Sequence, residues 1–431
     1  MNAAPPEHVL DDDPLPHRRL LQVPALGGVV KARPEDFLVD EMPLYEPSGS
    51  GEHLYLFVQK RGMAHSEMIE LLCRHFGVGE ESIGFGGMKD KIAITRQLVS
   101  IHLPGKPDPS SLPADEDFVV LWAARHGNKL RRGHLAGNRF SIRIRGIEPS
   151  KVIAIRSSLR QLERDGIPDY YGAQRFGYRR NTHRLGRHLL TGNWSGLVDE
   201  LVGTVSPFPE HQRPQRELAA AGRWKESLPH WARNDRAERL VVAALGRGRT
   251  PEQAIRELPP HTRSFWVSAF QSATFNRVLD RRIADGLFAS IIEGDVAYKH
   301  QTRGQFVVTK EILAGEDLKA RLDRFEISPS GPMHGSGMIE AGEPVATWER
   351  EATTSLGVPP ELLSARSAHA EGTRRPLRVP VSNTEIESGV DEHGGYVRLA
   401  FDLPRGAYAT VLLRELLGEG AAADEDPDTR G

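Results

Sequence analysis

"GFGGMKDKIAITRQLVS", Gly84 to Ser100, places three glycines and a Lys-Asp-Lys triplet ahead of a run rich in β-branched residues. The run after the glycines decides the fold class. A Walker loop needs Gly-Lys-Ser/Thr, and a Rossmann fingerprint opens a helix whose N-terminus meets phosphate. Neither is present, because "IAITRQLVSI" reads as a strand. Taken alone, the segment is a surface turn. Its one unusual feature is a carboxylate, Asp90, set between Lys89 and Lys91.

Outward from this loop the pattern is strand-rich. "DFLVDEM" (Asp36–Met42) and "HLYLFVQK" (His53–Lys60) carry β-branched and aromatic residues. "SEMIELLCRHFG" predicts a helix: Met68, Ile69, Leu72, Cys73 and Phe76 recur at helical spacing, with Ser66 to cap its start and Gly77 its end. "NRFSIRIR" alternates, with Asn138, Phe140, Ile142 and Ile144 on one face and Arg139, Arg143 and Arg145 on the other. Near the end, "YVRLAFDLP" alternates again and "AYATVLLRELL" reads as an amphipathic helix. Between about 171 and 374 the texture is helical and often broken, and "ISPSGPMHGSGMIEAGEP" (Ile327–Pro344) reads as a glycine-rich loop. Strand-rich ends around a helical middle predict an α+β domain with a second domain inserted in it.

A chain of 431 residues fits two domains. No apolar run reaches about 18 residues and no secretory signal opens the chain, so a cytoplasmic, non-membrane protein is expected. A single cysteine, Cys73, excludes an internal disulfide and a cysteine zinc site. Acid gathers at the ends, in "DDDP" (Asp11–Pro14) and "DEDPD" (Asp424–Asp428), which predicts solvated tails. Two runs are basic and acid-free: Ala124–Arg145 holds seven Lys/Arg, and Gln174–His188 holds five Arg. Their interleaved aromatic, His and Asn residues predict a nucleic-acid backbone as partner. Metal-ligand spacing is absent. His183 and His188 read as facing solvent or phosphate, and "HGSG" at His334–Gly337 reads as a turn without a nucleophile elbow. That leaves Asp90. A carboxylate ionised at neutral pH can act as nucleophile, base or stabiliser of an oxocarbenium-like sugar, and residue type alone does not choose among them.

Six ordered motifs are more specific: "KARPEDFLVDE" (Lys31–Glu41), "GMKDKIAITRQLVS" (Gly87–Ser100), "LRRGHLAGNRFSIRIR" (Leu130–Arg145), "GIPDYYGAQRFG" (Gly166–Gly177), "SAFQSATFNRVL" (Ser268–Leu279) and "FDLPRGAYATVLLREL" (Phe401–Leu416). Together they closely resemble the TruD family of tRNA pseudouridine synthases, from about Lys31 to Leu417. Departures are few: Lys91 stands where arginine is frequent, Asp169 where asparagine is common, Tyr171 where phenylalanine is frequent, and Arg179 with Arg180 in a more glycine-like stretch. Long spacings in the middle imply an enlarged inserted domain.

The resemblance implies an α+β pseudouridine-synthase catalytic domain with a mixed, largely antiparallel sheet, interrupted by an inserted α/β domain. Expected boundaries are a disordered tail at 1–23, catalytic segments at 24–170 and 376–418, the insertion at 171–375, and an acidic disordered tail at 419–431. It implies an isomerase that breaks the C1′–N1 bond of a tRNA uridine, expected at position 13, turns the uracil and rejoins it through C5. No cofactor or metal is expected, the partner is tRNA or another RNA, and the chain is expected to be monomeric. The family's catalytic aspartate maps onto Asp90, which either attacks C1′ or takes a ribose proton. Lys31 corresponds to the cation paired with it, and Lys89 also belongs to the substrate site. Phe140 corresponds to the aromatic that stacks on a flipped uridine, with Asn138 beside it and Phe401 closing the wall. Arg131, Arg132 and Arg179 are candidate phosphate contacts. Gln174 and Arg175 either contact RNA or order a hinge. The glycines before Asp90 are expected to let backbone approach the nucleotide closely. The competing reading is a catalytically silent RNA-binding protein on the same scaffold. Phosphate binding alone would have no use for Asp90 together with Lys31, Asn138 and Phe140.

Overall fold

The strand-rich ends of the chain build a nine-stranded sheet. Its strands include β1 (Phe37–Pro43), β2 (His53–Arg61), β3 (Ile83–Phe85), β4 (Ile94–His102), β5 (Ala114–Asp115), β6 (Phe118–His126) and β7 (Leu135–Arg145). A C-terminal hairpin, Ser382–Asp391 with Gly394–Pro404, completes it. The hairpin's second strand lies on β7, and the order then runs β1, β4, β2, β6, β5, with β3 on the far half of β4. Only β1 with β4 is parallel, so the sheet is mixed and largely antiparallel. Helix α1 (His65–Phe76) buries Met68, Ile69 and Leu72. Its start is fixed by Glu67, whose carboxylate accepts from the Ala64 N–H at 2.6 Å, rather than by Ser66. Gly77 ends it in the left-handed region at φ 61°. Helix α2 (Val152–Asp165) and the C-terminal helix Ala409–Leu417 add Leu159, Leu412 and Leu416 to a core that includes Phe140, Ile142 and Phe401.

The computed structural model describes residues 12–204, 212–315, 317–364 and 371–418. The expected tail at 419–431 and the first half of the one at 1–23 lie outside them. The described residues form two compact units: those within 19–167 and 379–418, and those within 12–18 and 168–378.

A loose tail continuing to residue 23 is corrected by its contacts. The N–H groups of His17 and Arg18 reach the Asp280 carboxylate at 3.0 Å, and Asn276 donates to Pro14 O at 2.9 Å. Leu21 is buried, its N–H bonded to Glu415 at 3.0 Å. Composition missed this because the partners lie more than 260 residues away.

The second unit centres on the helix Pro260–Ala284. Beside it lies a four-stranded antiparallel sheet made by Val296–Lys299, Gln305–Val307, Ile327–Met333 and Thr373–Pro376. Ile327–Met333 is thus a strand and not a loop. All seven of its residues are buried, so no alternation marks it. Gly331 sits where a Cβ would come within 2.8 Å of the Phe275 ring. No helix among the described residues is long and apolar enough to cross a membrane.

Candidate active site

Asp90 lies on the loop from β3 to β4, with its side chain 38% exposed and so open to a ligand. Lys31 Nζ stands 2.9 Å from Asp90 Oδ2. To aim that way, Lys31 takes φ 56°, a left-handed backbone that a lysine rarely adopts. Its ammonium also sits 4.6 Å from the centre of the Phe37 ring. The segment is pinned a few residues on, where buried Asp36 pairs with Arg145 at 2.6 Å.

Lys60 was not foreseen. Its buried Nζ donates to Asp90 O at 2.7 Å and to Met63 O at 2.6 Å. Burial pulls this lysine down to about 8, against the attraction of Asp90. The only sequence signal was a lysine at the end of an otherwise core-facing strand. A strand-end cation ordinarily reaches solvent, so that signal was not enough.

Lys89 turns away from Asp90. It contacts Glu41 at 3.2 Å and donates to the side-chain carbonyl of Asn138. Glu41 also accepts from Leu98 N–H at 3.2 Å and is fully buried. Burial pushes Glu41 up and Lys89 down, each toward its neutral form, while their mutual attraction opposes both. Glu41, likewise unforeseen, belongs to the support beneath the loop. Lys91 forms no ion pair among the described residues.

Asn138 and Phe140 project from one face of β7. Phe140 stacks on Phe401 with ring centres 5.4 Å apart at 25° and packs edge-on to Phe37 at 6.3 Å. Only 7% of Phe140 is exposed and none of Phe401, so Phe401 backs Phe140 and presents no wall of its own. The glycines serve protein packing first. A Cβ on Gly84 would lie 2.3 Å from Leu130 O, and one on Gly86 3.2 Å from the Glu41 carboxylate. Only Gly87, with nothing within 4 Å, leaves room for a ligand.

The candidate phosphate contacts separate. Arg131 and Arg132 are exposed. Arg179 is buried and donates to Glu200 O at 2.8 Å, which corrects its reading as an RNA contact. In the same run Arg184 and Arg187 pair with Asp12. His183 is buried too, bonded to Asp12 O at 2.9 Å, and burial pulls it down to about 4. That basic run is therefore largely internal, because its acid comes from the N-terminal segment. Arg175 is tied to Ser272 and Ser268 of the long helix, while Gln174 is exposed. Asp169 pairs with Arg375 at 2.6 Å, and burial pushes its carboxyl up to about 6. No group of three or more His, Cys, Asp or Glu among the described residues could hold a metal ion.

A carboxylate facing a cation, on a loop held from below, can act on an electrophilic sugar carbon or on a ribose proton. The chain as a whole is similar to known proteins. The family described as tRNA pseudouridine synthase D (TruD) matches residues 18–416. A tRNA pseudouridine synthase D from Geobacter sulfurreducens is 40% identical over 93% of this chain and 97% of its own length. One from Syntrophotalea carbinolica is 37% identical over 92% and 97%. A solved structure from Methanosarcina mazei, described as a candidate tRNA pseudouridine synthase D, superposes with a TM-score of 0.81. It shares 25% identity and covers 95% of this chain and 98% of that one.

Proposed function

The chain belongs to the TruD family of tRNA pseudouridine synthases, and from that premise we propose that it isomerises the uridine at position 13 of tRNA with Asp90 as the reacting carboxylate. It is an isomerase: the C1′–N1 bond breaks, the uracil turns, C5 joins C1′, and the C5 proton leaves as N1 gains one. The observation that carries the assignment is the Lys31–Asp90 contact at 2.9 Å on an accessible loop.

The target base is stacked inside the folded RNA and has to be flipped out to reach the loop. Phe140 then stacks on the uracil, and Asn138 offers its amide to a base or ribose edge. Asp90 attacks C1′ or removes a ribose proton, with the Lys31 ammonium 2.9 Å from the carboxylate oxygen that reacts or lies beside the one that does. Lys60 fixes the backbone at Asp90, so the carboxylate meets the sugar in one geometry. The Glu41–Lys89–Asn138 chain ties that loop to β1 and β7. The protein acts on tRNA in the cytoplasm as a monomer and needs no metal or cofactor. The test is to map pseudouridine in RNA from cells with and without this protein. Loss at one tRNA position supports the reading, and unchanged maps contradict it.

A further inference from the structure

Of the seven cations between Ala124 and Arg145, four are neutralised by neighbours. Arg125 pairs with Asp108, Arg139 with Asp402, Arg143 with Asp391, and Arg145 with Asp36. The other three, Lys129, Arg131 and Arg132, form no ion pair among the described residues and share the loop from β6 to β7. Lys129 and Arg131 line a cavity of about 490 Å³ whose further wall is Tyr45, His126 and His134. Tyr45 stacks on His126 at 5.2 Å and 25° and lies edge-on to His134 at 6.2 Å.

Hydrogen bonds hold this wall in place. Tyr45 Oη is 3.1 Å from His134 Nδ1, and Ser48 N–H donates to His126 Nδ1 at 3.1 Å, which leaves the His126 proton on Nε2. Buried Tyr55 donates to Asn128 O at 2.9 Å behind it. The same loop is joined to the one that carries Asp90, through Gly133 N–H to Gly86 O at 2.8 Å.

We infer that this cavity binds a second nucleotide of the RNA, distinct from the uridine that is isomerised. Its base lies against the Tyr45–His126–His134 wall and its phosphate against Lys129 and Arg131. The inference rests on the reading of the chain as acting on RNA. A simple anion fits poorly, because the Glu46 carboxylate also lines the cavity. A nucleotide suits both signs of charge, since its ribose hydroxyls and amino groups donate where its phosphate accepts.

The test uses the full chain and pre-folded tRNA. The double variant Lys129→Gln with Arg131→Gln should bind about tenfold more weakly, with a log–log salt slope smaller by about two. His126→Asn keeps an acceptor for Ser48 and removes the ring. It should weaken binding about five- to tenfold with the salt slope unchanged, as expected for lost stacking. In both, KM should rise more than kcat falls, and circular dichroism should report an intact fold. Cross-linking of 4-thiouridine-substituted tRNA should join the His126–His134 peptide to a nucleotide other than the target. Wild-type affinity and slope in both variants, or cross-links from the target uridine alone, would overturn the cavity's role while leaving the enzyme assignment standing. A wild-type protein that neither binds nor modifies tRNA would remove the premise, and this inference with it.

Discussion

Lys31 Nζ reaches within 2.9 Å of Asp90 Oδ2 from 59 residues away, and its backbone adopts φ 56° to do so. A left-handed conformation costs an L-residue about 1–2 kcal/mol, so the contact is held against local preference. Lys31→Gly removes both strain and charge. Melting temperature should hold or rise, while kcat falls at least tenfold. Thermal melts beside turnover assays check this, and undiminished turnover would show that the cation is dispensable.

Lys60 predicts a pH dependence. Its value of about 8 lies below the ordinary 10.5, so between those pH values the unfolded chain holds a proton that the folded chain has released. Stability therefore rises with pH across that window, as the burial penalty on the ammonium disappears. Activity should move the other way, falling above about pH 8 as the charge beneath Asp90 is lost. In Lys60→Arg, which stays charged, any remaining activity should lack that limb. Denaturation and kcat measured from pH 7 to 10 separate the two effects.

Glu41 and Lys89 are buried together, 3.2 Å apart. Glu41→Gln strands a buried ammonium and should destabilise the protein by about 3–5 kcal/mol. Glu41→Gln with Lys89→Met should recover part of that loss. Urea denaturation of the single and double variants measures the coupling, and simple additivity would mean that the pair is not linked.

Phe401 is sealed beneath Phe140, so the two should respond differently. Phe401→Ala leaves a cavity and should cost about 3–5 kcal/mol of stability. Phe140→Leu keeps most of the volume and should cost less than about 1.5 kcal/mol of stability. It should nevertheless lose base stacking of about 1–3 kcal/mol in kcat/KM. A Phe140→Leu enzyme with normal turnover would assign that ring to packing alone.

Legibility from sequence depended on how much each residue's near neighbours reveal. Alternation along "NRFSIRIR" correctly gave the faces of β7, because every second residue meets the core. Ile327–Met333 hid its strand, since burial on both sides and Gly331 against Phe275 erase alternation. Lys31 and Asp90 were legible through motifs. Lys60 and Glu41 were not, because a buried ion reads as an exposed one until its distant partner is in place. Arg179 misled for the converse reason: its run holds no acid, yet Glu200 O accepts from it and Asp12 neutralises its neighbours.

The most direct measurement is tritium release from C5-labelled uridine in tRNA by Asp90→Asn, run beside filter binding. The substitution keeps shape and removes charge, nucleophilicity and basicity together. Release should be abolished while tRNA affinity changes by about 1 kcal/mol or less, because phosphate contacts dominate affinity. Turnover like the wild type's would contradict the assignment of Asp90, and parallel loss of binding and activity would make it a structural residue.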